Sequence, residues 1–162
     1  MPRQAIFSGT PYRYPFLPDF QSAMLLQLGA SVGAALANRK HGRLSINIQT
    51  DGDLMYAPGI LWTAAHHRIP LLNIMHNNRA YHQEVMQVQI MANRHSRGVD
   101  RTNIGTTIAD PGIDFAKVAQ GMGMYAEGPI SDPKELGPAI RRALDVVKRG
   151  EPAMLDVHTQ PR

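Results

Sequence analysis

Asp51-Gly52-Asp53, followed one helix length and one strand length later by Asn77-Asn78, is the pattern in this chain best suited to chemistry. A carboxylate and an amide oxygen form a hard oxygen set, which favours Mg²⁺ or Ca²⁺ over zinc. Magnesium keeps few protein ligands and completes its octahedron with water and phosphate oxygens. Asp53 and Leu54 open a segment whose free backbone N–H groups can meet an anionic phosphate. The chemistry implied is a metal-bridged diphosphate. The competing reading is a pair of ordinary turns, because Asp-Gly and Asn-Asn are both frequent turn formers.

The surrounding elements place the two halves together. Leu44 to Thr50 alternates apolar and polar residues, the strand period, and Pro70 to His76 is a short apolar run fit for a buried parallel strand. Between them, Ala57 to Arg68 carries Ile60, Leu61, Ala64 and Ala65 at helical spacing. A right-handed strand–helix–strand crossover makes the strands parallel, so Asp51 and Asn78 converge on one sheet edge. Ligands bind at that edge in open α/β sheets. Further along, helices are expected from Ser31 to about Lys40, over Gln83–Ala92, Asp114–Gly121 and Lys134–Arg149. Strands are expected over Met124–Glu127 and Ala153–His158, while His95 to Thr107 has turn character. Alternating β and α implies an α/β fold, a three-layer α/β/α sandwich around a parallel sheet.

The stretch from Thr50-Asp-Gly-Asp to His76-Asn-Asn resembles the GDG…NN signature of thiamine-diphosphate-dependent enzymes. Leu61-Trp-Thr-Ala-Ala65, Arg68-Ile-Pro70, Asp110 to Ala119 and Glu151 to Val157 are similar to the acetolactate synthase and benzoylformate decarboxylase branch. The similarity runs from about Val32 to the C-terminus. It implies a thiamine-diphosphate-binding fold over residues 22–162, with 1–21 an altered N-terminal segment. It also implies thiamine diphosphate and Mg²⁺ as cofactors. By the same resemblance, Asp51 (carboxylate), Asn78 (amide oxygen) and Ala80 (main-chain carbonyl) would be the magnesium ligands. Gly52 and Asp53 would lie against the diphosphate, and Tyr81 would face the cofactor or its covering loop. Tyr81, His82 and Met24 are the candidates for contact with the reacting centre. The implied reaction is decarboxylation of a 2-oxo acid or acyloin-type carboligation.

Three departures accompany the resemblance. Thr50 replaces the first glycine of the signature, which suits a strand end and removes no ligand. Met24 falls where the family places the residue that bends thiamine, but the glycines around it are missing. The pyrimidine-binding domain, source of the activating glutamate, would need more residues than a one-domain chain of 162 supplies. A pyrimidine-binding domain or subunit in trans is therefore expected, within a homo- or hetero-oligomer.

Composition sets looser bounds. A chain of this length can bury about 70% of its unfolded surface. The net charge of +4 suits anionic ligands, but the basic residues are scattered and no nucleic-acid partner is expected. No membrane span and no apolar leader core are evident, so a cytoplasmic protein is expected. The absence of cysteine excludes disulfides, thiol nucleophiles and Cys-based zinc sites. His66-His67 reads as a solvent-facing helix end, since neighbouring helical residues point about 100° apart. His76 is either a site residue or an ordinary strand end, and His82 with Glu84 could relay protons.

Two rivals remain. Gly29-Ala-Ser31-Val-Gly33 satisfies the G-x-S-x-G pattern of a serine hydrolase, with Asp132 and His158 following in order, although no oxyanion-hole segment precedes Ser31. The chain could also be a non-catalytic cofactor-binding or assembly module, since fold does not establish function.

Overall fold

The computed structural model describes the backbone of residues 20–159 and the side chains of 28–159. Most of the 1–21 segment and the side chain of Met24 lie outside the described residues. Four strands form one parallel sheet: β1 (Ile46–Thr50), β2 (Leu72–Asn77), β3 (Tyr125–Ile130) and β4 (Ala153–His158). Their order is β1-β2-β4-β3. Ile46 pairs with Leu72, and Thr50 with His76; Leu72 also pairs with Ala153, and Asn77 with His158. The carboxyl ends of β1, β2 and β4 therefore reach one edge together, as the crossover argument required.

Helices cover both faces. On one lie α1 (Phe20–Arg39), α2 (Asp51–Tyr56), α3 (Gly59–His66) and α5 (Phe115–Gly121); on the other lies α6 (Pro133–Lys148). Side chains alternate across each strand, and this assigns the two cores. Met75, Ala126 and Met154 pack with Leu54, Leu61, Phe115 and Ala119. Leu72, Ala153 and Leu155 point the opposite way, onto Ala139, Ala143, Val146 and Val147 of α6. Each large apolar side chain fully buried this way contributes about 1.5–3 kcal/mol.

Local chemistry sets the helix starts. Asp132 caps α6 by accepting the Lys134 N–H at 2.9 Å, and Pro133 follows at the first helical position. Asp114 caps α5 in the same way, accepting the Lys117 N–H at 2.9 Å. α4 (His82–Arg94) begins directly after the Asn77-Asn78 turn, where Tyr81 occupies the cap position.

Three sequence expectations need correction. α1 begins at Phe20 rather than near Ser31, because the apolar run before Ser31 continues the same helix. A six-residue helix, α2, starts at Asp51 itself and precedes α3. In β1 the alternation holds, but its polar side faces inward. Asn47 and Gln49 are buried while Ile46 and Ile48 are exposed. Burial is met in part: Asn47 Nδ2 donates to Asn73 Oδ1 at 2.8 Å and to Gln49 Oε1 at 3.2 Å, while Asn47 Oδ1 and Asn73 Nδ2 have no partner among the described residues.

Candidate functional site

The two turns singled out in the sequence meet through one hydrogen bond. Asp51, the first residue of α2, is 1% exposed. Its Oδ1 accepts the Gly52 N–H at 2.9 Å, and its Oδ2 accepts the Arg79 N–H at 2.6 Å. The second bond joins the end of β1 to the end of β2. Arg79 adopts φ +61, a conformation uncommon outside glycine. It is in this conformation that its N–H reaches the carboxylate.

Asn78 and Ala80 complete the cluster. Asn78 Oδ1 accepts the Ala80 N–H at 3.0 Å. Ala80 forms an isolated antiparallel bridge with Thr107, in which Tyr81 N–H bonds Thr106 O and Ile108 N–H bonds Arg79 O. In such a non-hydrogen-bonded pair the central residue turns its own N–H and C=O away from the partner strand. The Ala80 carbonyl therefore points to the side carrying Asn78 Oδ1. The segment after His95 thus packs against the turn.

Asp53 and Tyr81 close the other side. Asp53 is 7% exposed. The Tyr81 ring lies over Gly52, where an added Cβ would meet two ring carbons at 2.6 Å. Tyr56 stands beside Tyr81, with ring centroids 6.2 Å apart. Glu84, on the first turn of α4, raises the proton affinity of both Asp53 and Tyr81.

Electrostatically, burial rather than any cation governs the two aspartates. Burial pushes the Asp51 carboxyl above its ordinary range, against the opposing pull of its backbone N–H donors. Burial also raises Asp53, with Glu84 and Asp51 adding to it and a Thr50 hydroxyl contact opposing it. Tyr81 is raised by burial, then by Tyr56 and the nearby acids. Among the described residues, neither Asp51 nor Asp53 has an ion-pair partner. Nor do three His, Cys, Asp or Glu side chains gather there as a metal-binding group. A cation would rely on one carboxylate plus amide and main-chain oxygens. That set suits a largely hydrated Mg²⁺, and the buried carboxylate supplies the unmet demand for it.

His82 joins this cluster, lining with Asn78, Arg79, Ala80, Asp114 and His158 one cavity of about 610 Å³. The remaining candidates separate from it. His76 is exposed, and His66 and His67 are exposed at the end of α3, where His66 stacks on Trp62. The hydrolase arrangement is absent among the described residues. Ser31 lies inside α1 rather than at a strand-to-helix elbow, Asp132 caps α6, and His158 Nδ1 lies 3.2 Å from Ser131 Oγ.

Sequence reasoning missed three participants: Arg79, Glu84 as a neighbour of Asp53, and Asp156 as the partner of Asn77. Asp156 carried a readable signal, a lone charged residue inside the apolar run Met154 to Val157.

A parallel α/β domain with an acidic, oxygen-rich turn pair at its carboxyl edge defines a diphosphate-binding class of protein. The chain belongs to the family of thiamine pyrophosphate enzymes, as their C-terminal TPP-binding domain, which it matches over residues 4–157. It is 32% identical over 133 residues to a benzoylformate decarboxylase of Pseudomonas aeruginosa, covering 82% of this chain and 22% of that protein. It is 30% identical over 117 residues to a Mycobacterium tuberculosis protein with the provisional name of an acetolactate synthase large subunit, covering 70% and 21%. The thiamine diphosphate-dependent 4-hydroxybenzoylformate decarboxylase of Rhodococcus jostii RHA1 superposes with a TM-score of 0.68 at 25% identity, covering 86% and 24%. The chain spans about a fifth of the length of the two sequence relatives.

Proposed function

We propose that this chain is the diphosphate-anchoring part of a thiamine-diphosphate- and Mg²⁺-dependent enzyme acting on 2-oxo acids, by decarboxylation or acyloin-type carboligation. The observation that carries the reading is the Asp51–Arg79 hydrogen bond, which draws the Asp51 and Asn78 turns into one oxygen cluster around a buried carboxylate that has no ion-pair partner among the described residues. When bound, thiamine diphosphate supplies the electron sink for making or breaking a bond beside a carbonyl. This chain's own residues bind and orient. Asp51, Asn78 and Ala80 would hold Mg²⁺, and Gly52 and Asp53 would border the diphosphate. Tyr81 shields that end from water. A pyrimidine-binding domain supplied in trans, within a cytoplasmic oligomer, would complete the site. No described helix is long and apolar enough to cross a membrane.

Thermal unfolding with Mg²⁺ alone, and then with Mg²⁺ plus thiamine diphosphate, tests this on wild type and Asp51→Ala. A ligand at 100 times its dissociation constant adds about 2.7 kcal/mol. The reading requires a shift that needs both ligands and is lost in Asp51→Ala. Adding a pyrimidine-binding domain then separates a catalytic half-site, which gains 2-oxo acid turnover, from a non-catalytic module, which does not.

A further inference from the structure

Behind the Asn77-Asn78 turn, the carboxyl ends of β2 and β4 hold a second polar pair that the anchoring role does not use. Asn77 is 1% exposed and Asp156 is fully buried. Asn77 Nδ2 donates to Asp156 Oδ1 at 2.9 Å. The two remaining polar atoms of the pair, Asn77 Oδ1 and Asp156 Oδ2, have no partner among the described residues. Both are acceptors if Asp156 is ionised, so they cannot satisfy one another. A buried acceptor left unmet is costly, and a buried unpaired charge more so.

A single proton resolves both. We propose that Asp156 is held in the fold as a neutral acid whose Oδ2–H donates to Asn77 Oδ1, closing a two-bond acid–amide clasp that fixes the residue before Asn78. Asp156 thereby acts as a positioning residue for the turn.

The surroundings favour the neutral form. Gly128 of β3 lies directly against Asp156. A Cβ at Gly128 would meet Asp156 Cβ at 2.6 Å and its backbone carbonyl oxygen at 2.7 Å, so only glycine lets β3 approach Asp156 so closely. Burial raises the proton affinity of Asp156, and the Asp114 carboxylate at the cap of α5 adds to it. Asp114 is itself paired with Lys117 at 2.9 Å, which weakens its contribution. Opposing these are the Asn77 amide, His158 on β4 and the Phe115 N–H. Glu127 pairs with Arg142 of α6, the helix on the other face of the sheet. Thr159 Oγ is likewise without a partner among the described residues, and therefore does not supply the missing bond. The Thr159 N–H instead bonds the Asn77 carbonyl at 2.8 Å, holding the same residue through its backbone.

The clasp itself is independent of cofactor binding; its effect on the metal turn rests on the proposed function. The test uses the full chain with ¹³C-labelled aspartate carboxyls, read by carbon-detected NMR near pH 7. The expected result is an Asp156 carbon at the protonated position, absent from Asp156→Asn. In parallel, the melting temperature of Asp156→Asn minus that of wild type is followed from about pH 5 to 8. A raised folded pKa gives wild type stability that is fully present below the unfolded value and lost as pH rises, so this difference grows with pH. An Asp156 carbon at the carboxylate position near pH 7, or a difference that shrinks with pH, overturns the proposal. If the variant fails to fold, the wild-type resonance, assigned through the backbone, decides alone. Where Mg²⁺ and thiamine diphosphate bind wild type, Asp156→Ala should weaken that binding at least tenfold and Asp156→Asn by less than twofold. Equal weakening overturns the positioning role. Absence of cofactor binding in wild type overturns the function instead, and leaves the NMR result to decide the clasp.

Discussion

Tyr81 covers Gly52 so closely that a methyl group at residue 52 would meet ring carbons at 2.6 Å. The ring is the end of a movable side chain, so Gly52→Ala forces Tyr81 aside rather than breaking backbone. Overpacking of this kind costs about 1–3 kcal/mol. The expected outcome is a destabilised Gly52→Ala and a much smaller cost for the same change in a Tyr81→Ala background. Urea unfolding of the four proteins of that double-mutant cycle measures the coupling. Additive costs would mean that the ring does not restrict residue 52.

Burial raises both Asp51 and Asp53 above the ordinary carboxylate value of 3.8. Such groups contribute stability that is present below their unfolded pKa and lost as pH rises through the folded one. For Asp53, the melting temperature of Asp53→Asn minus that of wild type should therefore increase with pH. Bound Mg²⁺ favours the ionised carboxylates, so Mg²⁺ with thiamine diphosphate should stabilise wild type more as pH rises above the same range. Melting curves across that range, with and without both ligands, check the two signs separately. A ligand effect largest at acid pH would contradict the assignment of Asp51.

Asn47 and Asn73 form a pair whose single and double replacement should differ. Asn47→Leu leaves the buried Asn73 Oδ1 without its 2.8 Å donor, whereas in Asn73→Leu the Asn47 amide keeps its 3.2 Å bond to Gln49 Oε1. An unsatisfied buried polar group costs about 1–3 kcal/mol, whereas replacing both partners with apolar groups of similar shape is close to neutral. The double variant Asn47→Leu/Asn73→Leu is expected to be more stable than Asn47→Leu alone. Denaturant midpoints of the three variants decide it.

Leu155 is fully buried in the α6-facing core. Leu155→Ala should cost about 2–5 kcal/mol through lost burial and the cavity left behind. A guanidinium titration at constant m-value measures it, and a loss below 1 kcal/mol would mean that the core collapses onto the gap.

Patterns with a strong period were legible before any coordinates. Leu136, Ile140, Ala143, Leu144 and Val147 mark α6, Ala153–His158 marks β4, and the Asp51 and Asn78 turns meet as the crossover geometry demands. What was illegible depends on long-range contacts. Asn47 and Gln49 look solvent-facing in an alternating strand, and their burial follows from partners on the neighbouring chain segment and within the strand. The start of α1 at Phe20 was hidden because Met24 to Leu28 is apolar but for Gln27, too short and too uniform a run to show a helical period. No local pattern announces that Arg79 bends into a left-handed conformation to hand its N–H to a carboxylate 28 residues earlier.

The strand order β1-β2-β4-β3 has a consequence for how the chain reaches this state. β4 is the last of the described strands in the chain, yet it lies between β2 and β3. Its partner in β2 is far upstream, with Leu72 meeting Ala153. During synthesis the sheet must wait, its middle open, until residues 153–158 have left the ribosome. Long-range parallel pairing of this kind is slow and exposes apolar strands while it lasts. A stop codon before Ala153 would therefore remove the seam of the sheet rather than its fringe, leaving β2 and β3 without the strand that pairs with both.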